Sequence, residues 1–270
     1  MQYAQIPPPD FLRHHVRYFW TLESSATETL PKVFGPVVDG CPGLMFQQPD
    51  MGAFSQGNKQ LADIAIYGQS TKHSVLTFTG QLHLVGIVFY PNALKSIFGI
   101  NAGELTNACT DLELLPARQT AELSGKLQHA SSLTEQINIL SDYLFKQIAS
   151  NQQENDLTQY AIAQIAKTKG AISLKDLQDD LRMTERSFER RFKEHVGITP
   201  KLFSRICRFQ ASLSQLRANH YSKLSDVAFE NDYADQSHFI RTFKEFTGFS
   251  PYQYQKQLEE VAENFTLFIN

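Results

Sequence analysis

Phe192-Lys193-Glu194-His195-Val196-Gly197-Ile198-Thr199-Pro200-Lys201-Leu202-Phe203 returns 51 positions later as Phe243-Lys244-Glu245-Phe246-Thr247-Gly248-Phe249-Ser250-Pro251-Tyr252-Gln253-Tyr254. Phe188 and Arg190 extend the match upstream to Phe239 and Arg241. An apolar-striped segment closed by Gly-x-[Ser/Thr]-Pro and present twice predicts two copies of one small helical module. Two copies are too few for a solenoid, which needs at least about three. Paired modules carrying outward arginines point instead to a partner that is itself periodic, and duplex DNA is the obvious candidate.

Each copy has the same internal logic. In the first, Leu174, Leu177 and Leu181 make the stripe of a short helix that Ser173 can cap. Arg182-Met183 turns the chain, and Thr184 can cap a second helix with Phe188, Phe192 and Val196 facing inward at i, i+4 and i+8. The opposite face carries Arg186, Glu189, Arg190 and Lys193. Gly197 ends the helix and Pro200 opens the next. In the second copy Leu224, Val227 and Ala228 form the first stripe, Asp232-Tyr233-Ala234 turns, and Asp235 caps. Phe239, Phe243 and Phe246 face in; Ser237, Ile240, Arg241 and Lys244 face out, with Gln236 and His238 at the helix start. One extra turn residue in the second copy explains why the offset slips from 50 to 51. This is the helix-turn-helix pattern. Between the copies, residues 200 to about 218 predict one continuous helix burying Leu202, Phe203, Ile206, Leu213 and Leu216, a rod that fixes the separation of the two modules.

Upstream the period changes. Residues 1 to about 110 predict short strands (Val16–Leu22, Gly43–Gln47, Ile64–Gly68, Val75–Thr79, His83–Tyr90) separated by Pro, Gly, Asn and Asp, which fits an antiparallel sandwich or barrel. A short helix follows at residues 91–98, stopped by Gly99. Leu133, Ile137, Leu140, Leu144 and Ile148 then predict an amphipathic helix, whose stripe suits either a dimer seam or packing on its own β-domain. The expected organisation is α+β and multidomain. It comprises a β-rich sensor or dimerisation domain with a helical end at 1–150, a linker at 151–156, an all-α tandem helix-turn-helix domain at 157–257 and a tail at 258–270.

The 270 residues carry a net charge of -3, which disguises an asymmetry. Residues 160–256 hold 16 Lys+Arg against 11 Asp+Glu, a local +5, and the remainder sums to -8. Positive potential thus sits on the repeated half, where phosphate attraction needs it. Three scattered cysteines make neither a disulfide framework nor a metal pair, and His14, His15, His73 and His83 lack a metal-ligand spacing. No cofactor and no metal are therefore expected. With no apolar run of about 20 residues and no signal-like N-terminus, the expectation is a cytoplasmic protein without membrane contact. Asp39 sits in a Gly/Pro-rich turn and is expected to form it. Trp20, Phe46, Tyr67 and Phe89 are candidate effector-binding aromatics, although aromatics on strands are core by default. No nucleophile–base arrangement emerges from the spacing, so no enzyme is expected; a β-barrel enzyme or an interaction scaffold carrying a DNA-binding module is the alternative.

Tandem helix-turn-helix units joined by a linker helix, with Val227-Ala228, Tyr233 to Lys244 and Thr247 to Tyr254 as the strongest match, resemble the AraC/XylS family of bacterial transcription regulators. The likeness covers about residues 157–256. Phe19-Trp20, Asp39-Gly40-Cys41, Gly68 and Val85 to Leu94 more weakly resemble a sensor domain found ahead of such regulators. The resemblance implies sequence-specific binding of promoter DNA, a possible small-molecule effector, a possible homodimer and contact with RNA polymerase. It assigns base reading to Arg186, Glu189 and Arg190 in the first copy and to Gln236, Ser237, His238 and Arg241 in the second. Lys193, Lys201, Arg205, Arg208 and Lys244 suit phosphate. The side chains fit the chemistry: Arg chelates guanine, Gln pairs with adenine and Glu accepts from cytosine. Gln178, Arg182 and Asp232 depart from the family pattern, which usually has Ala and Gly there, and the first unit is accordingly expected to be the looser one.

Overall fold

Alternation of inward and outward side chains in the first half of the chain becomes two facing antiparallel sheets in the computed structural model, which describes residues 2–24, 28–49, 51–115, 120, 122–151, 156–262 and 265–268. The strands are β1 (Gln2–Ile6), β2 (Val16–Glu23), β3 (Glu28–Pro36), β4 (Gly43–Gln47), β5 (Gly52–Gln56), β6 (Lys59–Gln60), β7 (Ile64–Tyr67), β8 (Leu76–Gly80), β9 (His83–Phe89), β10 (Cys109–Asp111), β11 (Leu258–Ala262) and β12 (Phe265–Phe268). One sheet runs β1-β2-β9-β4-β7-β10 and the other β11-β12-β3-β8-β5-β6.

The first sheet is covered on both faces, and the period of two decides which residue goes where. Leu44 and Phe46 of β4, with Val85, Ile87 and Phe89 of β9, share a core with α1 (Ala93–Phe98), α2 (Leu123–His129) and α3 (Leu133–Ser150). Their neighbours Met45 and Leu84 face the second sheet, meeting Phe34, Phe54 and Phe78. The stripe of α3 is thereby used up on its own domain: Leu140 and Leu144 are fully buried there and Leu133, Ile137 and Ile148 flank them.

Residues 152–155 of the expected linker lie outside the described residues. The helices that follow are α4 (Asp156–Lys167), α5 (Leu174–Asp180), α6 (Glu185–Val196), α7 (Pro200–Arg217), α8 (Leu224–Glu230), α9 (Gln236–Thr247) and α10 (Pro251–Gln257). They enclose a second core containing Phe188, Phe192, Phe203, Phe209, Phe239, Phe243 and Phe246. Each such ring contributes roughly 1.5–3 kcal/mol on burial, enough to hold seven short helices that would be marginal alone.

One expectation is corrected. Within the segment expected as a tail, residues 265–268 form β12, which pairs with β3, Thr266 opposite Gly35 and Leu267 opposite Phe34. The chain end therefore returns to the N-terminal sandwich, where it pairs with backbone groups β3 would otherwise leave open at a sheet edge.

Candidate functional site

The two helix-turn-helix units are built alike down to the turn. Both turn residues that depart from glycine adopt left-handed backbone, Arg182 at φ 52° and Asp232 at φ 53°, so each accepts the strain that glycine would avoid. Met183 N–H then bonds the Gln178 carbonyl, and Tyr233 N–H bonds that of Ala228, both at 3.0 Å. These bonds are equivalent, and the extra residue of the second unit lies after them, before the cap.

Each second helix starts on a side-chain cap: Thr184 Oγ1 accepts from Ser187 N at 3.3 Å, and Asp235 Oδ1 from His238 N at 2.6 Å. Each ends on a left-handed glycine, Gly197 at φ 97° and Gly248 at φ 85°. Phe188, Phe192, Phe239, Phe243 and Phe246 are buried. Arg186, Glu189, Arg190, Gln236, Ser237 and Arg241 are exposed, and no hydrogen bond or ion pair among the described residues engages their side chains. Arg190 and Arg241 occupy equivalent positions, as do Lys193 and Lys244, which are also exposed together with Lys201.

Three assigned residues sit differently. His238 is half-buried, its Nδ1 accepting from Ala234 N at 3.5 Å and its ring edge-on to Tyr233; it helps to close the second turn. Arg205 donates to Glu245 Oε2 at 2.6 Å and lies over the Phe246 ring. Arg208 is half-buried and donates to the Gly170 carbonyl at 3.2 Å. Arg205 thereby ties α7 to α9, and Arg208 ties it to the segment that follows α4.

The N-terminal domain grips the far end of both second helices. The last carbonyls of a helix lack partners within it, and here the sandwich supplies them. Thr106 Oγ1 donates to the Gly197 carbonyl at 2.6 Å, while Lys95 Nζ pairs with Glu194 Oε1 at 2.9 Å. At the other unit His73 N donates to the Glu245 carbonyl at 3.1 Å and Val38 N to that of Phe246 at 3.4 Å. Gln210 of α7 donates back to the Val38 carbonyl at 2.6 Å, and Val37 and Val38 are part of the helical core.

The segments that make this second grip also wall a cavity of about 230 Å³ between the two sheets. Val37, Val38, Asp39 and Lys72-His73 form its side toward the helices, and Tyr3, Tyr18, Trp20 and Tyr67 supply rings. Asp39 also makes the expected turn, its Oδ1 accepting from Cys41 N at 3.0 Å. Burial pushes the Cys41 thiol up to about 12, against the pull of Arg17, whose Nη1 donates to its sulfur at 3.2 Å. Of the four candidate aromatics, Trp20 and Tyr67 line the cavity; Phe46 and Phe89 do not. Each is one residue out of phase, with Met45 and Val88 taking the cavity face and the phenylalanines fully buried under the helices. Tyr3 and Tyr18 escaped sequence reasoning, yet Tyr18 is in phase with Trp20 and period two alone would have found it. Among the described residues no group of three His, Cys, Asp or Glu side chains could hold a metal ion, and no described helix is long and apolar enough to cross a membrane.

Residues 177–257 match the family model of a helix-turn-helix domain, and residues 4–111 match that of a domain of unknown function (DUF6597). An uncharacterised HTH-type transcriptional regulator from Haemophilus influenzae is 28% identical over 39% of this chain and 35% of its own. The HTH-type transcriptional activator RhaS of Escherichia fergusonii is 30% identical over 30% and 29%. The chain thus spans about a third of the length of these curated relatives. Among solved structures, ToxT from Vibrio cholerae aligns with 87% of this chain and 97% of its own, at 12% identity and a TM-score of 0.48.

Proposed function

We propose, from the premise that residues 177–257 form a helix-turn-helix domain of the AraC type, that the whole protein is a one-component transcription regulator reading promoter DNA with α6 and α9. The observation that carries this is the pair of exposed arginines, Arg190 and Arg241, at equivalent positions on two capped helices joined by the single helix α7. Arg186, Glu189, Gln236 and Ser237 complete the base-reading faces, with His238 limited to its outer nitrogen. Lys193, Lys201 and Lys244 supply phosphate contacts, which position the protein without reading sequence. Arg205 and Arg208 act by holding the helices together rather than by touching DNA.

The sandwich is the sensor in this reading, and its cavity is the effector site. A ligand that filled the cavity would press on segments 37–41 and 70–74, which cap α9, and on Asn107 and Ala108, which adjoin the Thr106 that holds α6. It would shift the DNA-binding equilibrium only by as much as it favours one interdomain arrangement over the other. RNA polymerase and a second copy of the chain are further partners of such a regulator. Selection of sheared genomic DNA by the purified protein at two salt concentrations tests the core claim. The expected result is one motif with two specified blocks about 10–10.5 bp apart. Enrichment without a motif that vanishes at the higher salt would reduce the interaction to phosphate attraction alone.

A further inference from the structure

The chemistry of the cavity wall narrows what it can hold. Trp20 of β2 stands opposite Gly86 of β9 in the sheet register, and its indole fills the space that any side chain at 86 would need. Gly43 is covered in the same way by the phenol of Tyr67. The two glycines thus let two aromatic side chains settle against the sheet, with Tyr3 and Tyr18 beside them. A wall of this kind offers broad ring surface to a flat ligand, while Gln56, Ser70, Ser74 and Asn107 supply polar groups elsewhere on the lining. The space of about 230 Å³ suits a small ligand. Asp39 places a carboxylate at the wall nearest the helices, beside Lys72 and His73, and it is suited to accept from a hydroxyl or amine.

We propose that the cavity binds a small planar aromatic compound with one hydrogen-bond donor, its ring on Trp20 and its donor toward Asp39. This rests on the cavity being the effector site. Stacking on aromatic rings favours a flat ring over a saturated ring of similar size by more than buried area alone.

Trp20 is the only tryptophan in the chain, so its emission reports directly on the cavity. Titration of the full-length protein with benzyl alcohol and with cyclohexylmethanol compares a planar ring with its saturated counterpart. Saturable change with both, at a Kd about tenfold lower for benzyl alcohol, is the expected result. Equal or reversed affinities would overturn the aromatic assignment and leave the cavity a ligand site. No saturable response to either would overturn both the assignment and the effector-site reading beneath it. Ligand-detected NMR on Trp20→Leu should show the preference gone, and its persistence would place the selective surface elsewhere and overturn the proposal. Should that variant fail to fold, Val88→Phe, which fills the cavity from β9, should abolish the Trp20 response; an unchanged response would put the probe outside and overturn it equally.

Discussion

Arg190 and Arg241 carry the proposed base reading, because each is exposed at an equivalent position and no described hydrogen bond or ion pair engages its side chain. Replacement of either by Ala should cost about 1–3 kcal/mol on the cognate site, with unchanged thermal stability; fluorescence anisotropy on matched and single-base-changed duplexes checks both affinity and specificity. Lys193→Ala and Lys244→Ala should instead weaken every sequence alike and lower the salt slope by about 1 each. These outward faces were legible in the sequence because the phenylalanines fix which side of each helix is buried. The commitments of Arg205 and Arg208 were not legible. Their partners Glu245 and Gly170 are 40 and 38 residues from the arginines, a proximity that no local pattern encodes.

The elements owe their boundaries to caps and left-handed residues more than to propensity. Asp235→Ala removes the oxygen that accepts from His238 N, so it should lower stability by about 1 kcal/mol, read as a fall in Tm. Gly170 closes α4 with φ 80°, and a side chain there would run into the Ser204 carbonyl of α7. Gly170→Ala should therefore destabilise by at least about 1 kcal/mol, through both backbone strain and the lost α4–α7 approach; chemical denaturation measures it. The end of α6 also carries a titration. Burial, aided by Arg191, holds the His195 imidazole below its ordinary value. The unfolded chain then binds a proton that the folded one refuses, so this contribution to stability falls as pH drops below about 6.5. His15 is lowered in the same sense by burial, so His195→Gln should reduce, without abolishing, the loss of Tm between pH 7.5 and 5.5.

At the scale of the whole molecule, the sandwich and the helical domain meet at two grips, one at the end of α6 and one at the end of α9. Thr106→Val removes the donor to the Gly197 carbonyl and Gln210→Ala the donor to Val38. The first should speed hydrogen exchange at the end of α6 and the second at the end of α9, each leaving the other helix end unchanged. Exchange that rises at both ends in either variant would mean one continuous interface. The sequence by itself determined the tandem units, their caps, their turn residues and the faces of α6 and α9, because these depend on contacts within a few residues along one helix. It also determined the central strands, whose alternation is local. Only the tertiary structure decided that α3 spends its stripe on its own domain, that Phe46 and Phe89 turn away from the cavity, and that the chain end rejoins the sandwich beside β3. Those outcomes depend on which surface lies across from each element, and burial between distant segments is a property of the assembled fold.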